Sequence, residues 1–210
     1  MTGRIAALNR FLSKSAERSL PFFKTLRGGK SFDWTEDCQK AFEDLKEYLK
    51  QLPLLTRPLE GEQLYMYLGV GDFAVSAVLL KKDETVHRPI YYVSKVLLDP
   101  ETRYPLAEKL ALALLMASRK LRQYFQAHPI TVLTDQPLRQ ILQKPEHSGR
   151  LVKWAVELGG YDITFQPRQA IKGQALADFI VECTVPDNSS DGEASPWLLH
   201  VDGASSANGS

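Results

Sequence analysis

The sequence predicts an α/β fold, in which a mixed five-stranded sheet is flanked by helices and preceded by a small helical segment. Two observations lead to this prediction. Apolar residues recur at helical spacing up to about residue 60, and from about residue 64 they give way to short runs rich in β-branched and aromatic residues. The later elements follow the order βββ-α-β-α-α-β-α, and 210 residues with 44% hydrophobic content suffice to bury a core.

The clearest helix of the first segment is predicted just before Pro53, which ends it. Thr35 is the expected N-cap, and the acids that follow it favour the positive end of the helix dipole. One apolar stripe at i, i+4, i+7 and i+11 is formed by Cys38, Phe42, Leu45 and Leu49. The pattern is typical of a helix that packs against a core.

Three consecutive antiparallel strands are predicted in "LYMYL", "AVSAVLLKK" and "RPIYYVSK". A long helix is predicted from about Tyr104 to Phe125. After it we expect a strand at 129–135, two helices ("PLRQILQ" and "RLVKWAVEL"), a strand at 161–167 and a terminal helix, "GQALADFIVEC". Residues 185–196 are polar, acidic and rich in Ser, Gly and Pro, which predicts a linker, and "WLLHVDG" beyond it predicts another strand.

The formal net charge of +1 says little about partners, but the charge is unevenly distributed. Residues 1–30 contain seven Lys or Arg against one acid, and residues 185–210 contain four acids and no Lys or Arg. A basic segment is typical of contact with a nucleic-acid backbone and also of a solvated helix face, and both interpretations stay open. Cys38 and Cys183 match no metal or redox spacing, and no apolar run is long enough for a membrane span. We therefore expect an intracellular protein that is not secreted and not embedded in a membrane.

Three carboxylates lie in predicted elements that otherwise bury apolar groups: Glu108 in the long helix, Asp135 at the end of the fourth strand and Asp178 in the terminal helix. Taken singly, each is explained as a helix cap or a surface charge. Taken together, they fit a carboxylate cluster that holds two divalent metal ions for phosphodiester hydrolysis. Oxygen ligands favour Mg²⁺ or Mn²⁺. The first strand, "LYMYLGVGDF", has no acid at the place where such a cluster needs one.

These segments resemble the reverse transcriptase and ribonuclease H portion of gypsy-type long-terminal-repeat retrotransposon polyproteins, of the kind found in plants. The pattern W-x3-C-x2-AF-x2-LK and the segment "GRIAALNRFLSKSAERSLPFF" are similar to the end of the polymerase. "AVSAVLLKK", "RPIYYVSKVL", "ITVLTDQPLRQIL" and "KGQALADFI" resemble the ribonuclease H-like domain that follows it. The resemblance covers residues 3 to 183.

The resemblance implies a catalytic role for Glu108, Asp135 and Asp178, which match three of the four acids of the family pattern. Aligning "AVSAVLL" with the "AIGAVLL" of the family places Gly69 at the first acid. Asp72 is three residues further on, about 10 Å away and on the opposite face of a strand, so it is a poor substitute. The domain is therefore expected to be degenerate, since Gly69 cannot bind a metal ion.

The end of the sequence, "LLHVDGASSANGS", resembles the opening strand of a second ribonuclease H domain, with Asp202 at its first catalytic position. The resemblance implies a plant-type element with two such domains in tandem. We expect reverse transcriptase thumb and connecting helices at 1–60, the degenerate domain at 61–184, a linker at 185–196 and a truncated second domain at 197–210.

Three functions follow from the resemblance. The first is a structural connection module that holds an RNA–DNA hybrid or primer–template beside the rest of the polyprotein, in a cytoplasmic particle or the nucleus. The second is an active ribonuclease H in which Glu108, Asp135 and Asp178 bind Mg²⁺ or Mn²⁺. The third is a domesticated or non-functional remnant. The candidate phosphate contacts are Arg4, Arg10, Lys14, Lys95, Arg119, Lys120 and Arg122, and the last three fit a solvated helix face as well.

Overall fold

The computed structural model describes residues 8–27, 34–50, 55–83, 86–143 and 149–168. The strands are β1 (Leu64–Val70), β2 (Ala74–Asp83), β3 (Val86–Val96), β4 (Ile130–Leu133) and β5 (Ile163–Gln166). The helices are α1 (Ser15–Arg18), α2 (Leu20–Arg27), α3 (Glu36–Lys50), α4 (Asp99–Thr102), α5 (Leu106–Lys120), α6 (Arg122–Ala127), α7 (Leu138–Gln143) and α8 (Gly149–Leu158). The predicted terminal helix, the linker and the last strand lie outside the described residues.

The five strands form one mixed sheet in the order β3-β2-β1-β4-β5. β1 pairs antiparallel with β2, and β2 pairs antiparallel with β3. β4 pairs parallel with β1 and with β5. Helices α7 and α8 form the crossover from β4 to β5, whereas β2, β3 and three helices lie between β1 and β4. The predicted mixed five-stranded sheet with flanking helices is confirmed, and β1 lies at its centre.

The two faces of the sheet are covered differently. On one face, alternate residues of β1, such as Met66 and Leu68, belong to the main core, which also contains the buried side of α5. On the other face, Tyr67 forms a smaller cluster with Val78, Leu80, Tyr92 and Leu133. Strand alternation places Gly69 on the same face as Tyr67.

The long predicted helix is two helices. α5 ends at Lys120 and α6 begins at Arg122, because Leu121 has a non-helical backbone (φ −110°, ψ 28°). Phe125, after the break, is buried, and its ring packs edge-on against Tyr161 at 5.4 Å. Helical periodicity alone does not reveal this boundary, and we attribute it to the packing of α6.

The predicted packing helix before Pro53 is confirmed as α3. The Thr35 hydroxyl accepts a hydrogen bond from the Cys38 N–H at 3.3 Å, which is N-cap geometry. Cys38 and Leu45 are buried with Leu12 and Phe22 of the preceding segment.

Within the described ranges, no helix is both long enough and apolar enough to cross a membrane.

Helix α1 docks on β3 through a serine. The Ser94 hydroxyl accepts a hydrogen bond from the Ala16 N–H at 2.9 Å and lies 2.9 Å from the Ser15 hydroxyl. We expect Ser94→Ala to lower the free energy of unfolding by about 1–2 kcal/mol, because it leaves the Ala16 N–H without an acceptor. Urea unfolding measures the loss, and hydrogen exchange at the Ala16 amide should accelerate. An unchanged midpoint would contradict this account of the docking.

His87 packs edge-on against Tyr65 and Tyr67, with ring centroids 5.4 and 6.1 Å apart. Burial, and then the charge of Lys82, lowers the pKa of His87. The unfolded chain therefore binds a proton more readily than the folded protein. Stability is complete above the unfolded-state pKa of about 6.5 and decreases as the pH falls below it.

We expect the melting temperature to fall between about pH 7.5 and pH 5, and to fall less in His87→Phe, which keeps the ring packing without titrating. Thermal unfolding followed by circular dichroism across this range measures both slopes. Equal slopes in the two proteins would show that His87 is not the group responsible.

Candidate functional site

The ends of β1 and β4 bring together the glycine and the aspartate that the sequence singled out. The parallel strands are in register through Tyr67 and Leu133. β4 ends at Leu133, and if the register is continued by two residues, Asp135 comes opposite Gly69. Gly69 is buried and supplies no side-chain oxygen. Asp72 lies in the exposed turn after β1.

Asp135 is bound by Arg168, which follows β5 at the same edge of the sheet. The Arg168 backbone N–H donates to Asp135 Oδ1 at 3.0 Å, and Arg168 Nε lies 3.9 Å from Asp135 Oδ2. Nη2 of the same guanidinium donates to the Leu68 carbonyl oxygen at 3.1 Å. Arg168 thus joins the end of β1 to the carboxylate that follows β4.

Tyr67 completes this group of side chains. Its hydroxyl is buried and has no hydrogen-bond partner among the described residues. Burial raises the pKa of Tyr67; the positive charge of Arg168 lowers it, and the negative charge of Asp135 raises it. The phenol therefore interacts electrostatically with both members of the Arg168–Asp135 pair.

Glu108, in the first turn of α5, faces a second arginine. Arg150 Nε lies 3.5 Å from Glu108 Oε2, and the Glu108 side chain is 15% exposed. Oε2 itself accepts no hydrogen bond within the described part of the chain. The Arg150 guanidinium also lies over the Tyr104 ring at 4.1 Å, which fixes it between α5 and α8.

The described residues supply too few carboxylates for a site that holds two divalent metal ions. Such a site needs several carboxylates that converge on the ions. Here the first position is a glycine, and Asp135 and Glu108 each pair with an arginine. No group of three or more potential metal ligands occurs in the ranges that the structure describes. Asp178 lies outside these ranges, so its predicted role stays a prediction.

A cavity of about 510 Å³ lies between β3, α5 and the N-terminal turn, a single 3₁₀ turn at Asn9–Phe11. Four of the predicted nucleic-acid contacts line it: Arg10, Lys95, Arg119 and Lys120. Apolar side chains of α5 and residues 91–94 of β3, including the Tyr91 ring, form the rest of its lining. The Arg10 guanidinium lies 5.1 Å from the Phe11 ring and 5.3 Å from the Tyr91 ring. The fold therefore gathers cations that lie up to 110 residues apart in the sequence.

Two of the four cations are paired with carboxylates. Lys95 Nζ lies 2.6 Å from Glu101 Oε1. Arg119 makes a bidentate pair with Glu157, with both contacts at 2.7 Å. The hydrogen bond to Arg119 lowers the pKa of Glu157, and the same hydrogen bond raises that of Arg119. Lys120 is exposed and forms no ion pair with a described residue.

The other predicted contacts are not gathered there. Lys14 has a left-handed backbone (φ 50°) and pairs with Glu17 at 3.6 Å. Arg122 is exposed at the start of α6 and does not line the cavity. Arg4, and likewise Asp202, lies outside the described residues.

Arg168 and Arg150 are the residues that sequence reasoning missed. A signal for Arg168 exists, because it follows "ITFQ" at the same distance as Asp135 follows "ITVL". Parallel pairing of these two strands brings the residues together. No comparable signal marks Arg150, whose partner is 42 residues away on another helix.

Comparison with known proteins agrees with this fold. Residues 34–132 match the family described as the RNase H-like domain found in reverse transcriptase. The described sheet and helices have an RNase H-like fold, and this match covers slightly less than half of the chain. Its structure is similar to that of the foamy viral protease-reverse transcriptase in complex with RNA/DNA hybrid, with a TM-score of 0.69 and 21% identity over 95% of this chain and 27% of the other.

Related sequences are Pol polyproteins. The chain is 26% identical over 179 residues to the retrovirus-related Pol polyprotein from transposon 412 of Drosophila melanogaster, covering 85% of this chain and 14% of that protein. It is 30% identical over 147 residues to the polyprotein from transposon opus of the same organism, covering 68% of this chain and 14% of that one. The sequence thus spans about a seventh of the length of these relatives.

Proposed function

We propose that this RNase H-like domain is a structural connection module that holds an RNA–DNA hybrid or primer–template without cutting it. The observation that carries the proposal is the combination of Gly69 at the first acid position with Asp135 bound by Arg168. Hydrolysis by two metal ions needs several carboxylates around the ions. Gly69 supplies none, and Asp135 and Glu108 each lie beside an arginine whose charge opposes the binding of a metal ion. The domain would act inside the cell, in a cytoplasmic particle or the nucleus, beside the rest of the polyprotein.

The cavity lined by Arg10, Lys95, Arg119 and Lys120 is the surface that we assign to the duplex. A-form duplexes are recognised mainly through phosphates, 2′-hydroxyls and shape. Lys120 is available for a phosphate, and Lys95 and Arg119 can exchange their carboxylate partners for one. Binding should therefore depend strongly on salt and weakly on base sequence.

The decisive experiment incubates the purified chain with a hybrid labelled on its RNA strand, with Mg²⁺ or Mn²⁺. We expect salt-dependent binding and intact RNA. RNA cleavage that Asp135→Asn abolishes would overturn the proposal in favour of an active ribonuclease H that uses Glu108, Asp135 and Asp178. Neither binding nor cleavage would instead support a remnant without a nucleic-acid role.

We also propose that the parent polyprotein is of the gypsy type, with two ribonuclease H domains in tandem and residues 197–210 as the start of the second. The support is the motif set described above, including Asp202 in "LLHVDGASS". In the parent gene, the codons after this segment should encode the rest of a ribonuclease H domain with its own set of acids. A reading frame without them would contradict the tandem arrangement.

Glu157→Gln is expected to strengthen hybrid binding about two- to fivefold at low salt, because it removes the charge that holds Arg119 away from a phosphate. The matched control is Glu43→Gln, which neutralises an exposed carboxylate paired with Lys46 on α3, away from the cavity. Fluorescence anisotropy with a labelled hybrid compares the two variants. Equal gains in both would indicate a general charge effect instead of release of Arg119.

A further inference from the structure

The Arg168 guanidinium lies at the ends of β1 and β4, between the Leu68 carbonyl oxygen and the Asp135 carboxylate. It is anchored twice, by its Nη2 donor to the Leu68 carbonyl oxygen at 3.1 Å and by its proximity to the Asp135 carboxylate, and its side chain is only 27% exposed. The Nε–H group of the same guanidinium is buried and has no hydrogen-bond acceptor among the described residues. An arginine held in this way is a partly buried positive charge with a defined position.

The position of this charge is defined by strand register. The parallel pairs are in register through Tyr67 and Leu133 and through Leu133 and Gln166. Continued by two residues, this register brings Gly69, Asp135 and Arg168 to the same edge of the sheet, where the Arg168 backbone N–H donates to Asp135 Oδ1. A carboxylate at position 69 together with Asp135 would make a pair of acids that repel each other unless a cation lies beside them. Arg168 already supplies that cation from within the chain.

We propose that the guanidinium of Arg168 takes the place of a divalent cation at this edge of the sheet, and that the missing side chain of Gly69 leaves the place open to it. The inference deepens the proposed function, on which it rests, by naming what stabilises the domain where a metal ion would. A metal ion and a guanidinium compete for the same carboxylate, because two positive charges about 4 Å apart repel strongly even at an effective dielectric constant of about 20.

One consequence distinguishes this arrangement from the simple loss of an acid. If only the acid were missing, Gly69→Asp would be enough to create a metal site. With Arg168 in place, the introduced carboxylate should instead pair with the guanidinium and accept the Nε–H hydrogen bond. A metal site should appear only when Gly69→Asp is combined with Arg168→Ala.

The test uses the full chain as wild type, Gly69→Asp, Arg168→Ala and the double variant. Free Mn²⁺ is measured by electron paramagnetic resonance during a titration without nucleic acid. We expect the double variant to bind Mn²⁺ at least about tenfold more tightly than Gly69→Asp. Equal affinities in these two variants, or a saturable site in the wild type that Arg168→Ala leaves unchanged, would overturn the proposal.

Melting temperatures without metal provide a second readout. Gly69→Asp should cost more stability in the Arg168→Ala background than in the wild type, because Asp135 then faces a second carboxylate without a cation. If Gly69→Asp does not fold, the cycle of Arg168→Ala and Asp135→Asn tests the same contact in the native backbone. The double variant should then lose little more than the larger single loss, and fully additive losses would overturn the proposal.

The outcome of the Mn²⁺ and stability experiments is independent of the outcome of the hybrid-binding experiment. Hybrid binding without cleavage can hold while Arg168 proves irrelevant to metal binding. Conversely, the Mn²⁺ result can hold in a protein that binds no hybrid.

Discussion

Leu114→Ala is expected to lower the free energy of unfolding by about 2–5 kcal/mol, the largest loss from a single substitution that we predict. Leu114 lies on the inner face of α5 and is 0% exposed. It belongs to the main core, together with Met66 and Leu68 of β1. Removing its branched end leaves a cavity between helix and sheet that neighbouring side chains cannot fill without moving α5.

The matched control is Leu106→Ala on the same helix. Leu106 is 47% exposed, so its truncation should change stability by no more than about 0.5 kcal/mol. Urea unfolding of the three proteins gives both differences under one set of conditions. Similar losses for the two variants would mean that α5 does not pack on the sheet through the face that contains Leu114.

Sequence patterns predicted the sheet well because each strand has a local signature. Alternation and β-branched residues define β1 to β3, and a turn at Gly71 separates the first two. The break at Leu121 has no such signature, since apolar residues continue at helical spacing on both sides of it. We attribute it to the packing of α6, in which Phe125 is buried. Helix α4 was also missed, as it is only four residues long.

The positions of Gly69 and Asp135 in the candidate site were predictable, because they follow from a sequence motif and from the pairing of parallel strands. The match of "AVSAVLL" to the family pattern placed Gly69 at the first acid, and the parallel register of β1 and β4 runs toward Gly69 and Asp135, two residues beyond its last pair. The arginine partners could not be predicted in the same way, because ion pairs over 33 and 42 residues depend on how separate elements pack. The same limit applies to the basic cavity. Its four cations come from the N-terminal turn, β3 and α5, and only the fold brings them together.

The second large effect concerns this cavity. We expect Arg10→Glu combined with Lys120→Glu to weaken binding of an RNA–DNA hybrid at least about tenfold near physiological salt. Both side chains line the cavity, and reversing their charge replaces two phosphate contacts by two repulsions. The slope of log affinity against log salt should become shallower by about two, since each lost phosphate contact removes about one unit.

A matched control separates the cavity from overall charge. Arg122→Glu combined with Lys153→Glu makes the same change in net charge, and both residues are exposed outside the cavity. Arg122 is also one of the contacts predicted from the sequence, so the comparison decides between two candidate surfaces. Anisotropy titrations at several salt concentrations measure affinity and slope for both double variants, and melting temperatures verify that Arg10 is not needed for folding through its contacts with Phe11 and Tyr91.

Local contact and long-range attraction predict different outcomes for this pair of variants. If phosphates of the duplex contact the cavity, only the first variant should show a slope of log affinity against log salt that is shallower by about two. The reason is that the slope depends on the number of phosphates in direct contact with cations. If the domain attracts the hybrid only through its overall field, both variants should weaken binding equally. Equal effects would therefore remove the cavity from the proposed function, while a selective loss would identify Arg10 and Lys120 as phosphate contacts.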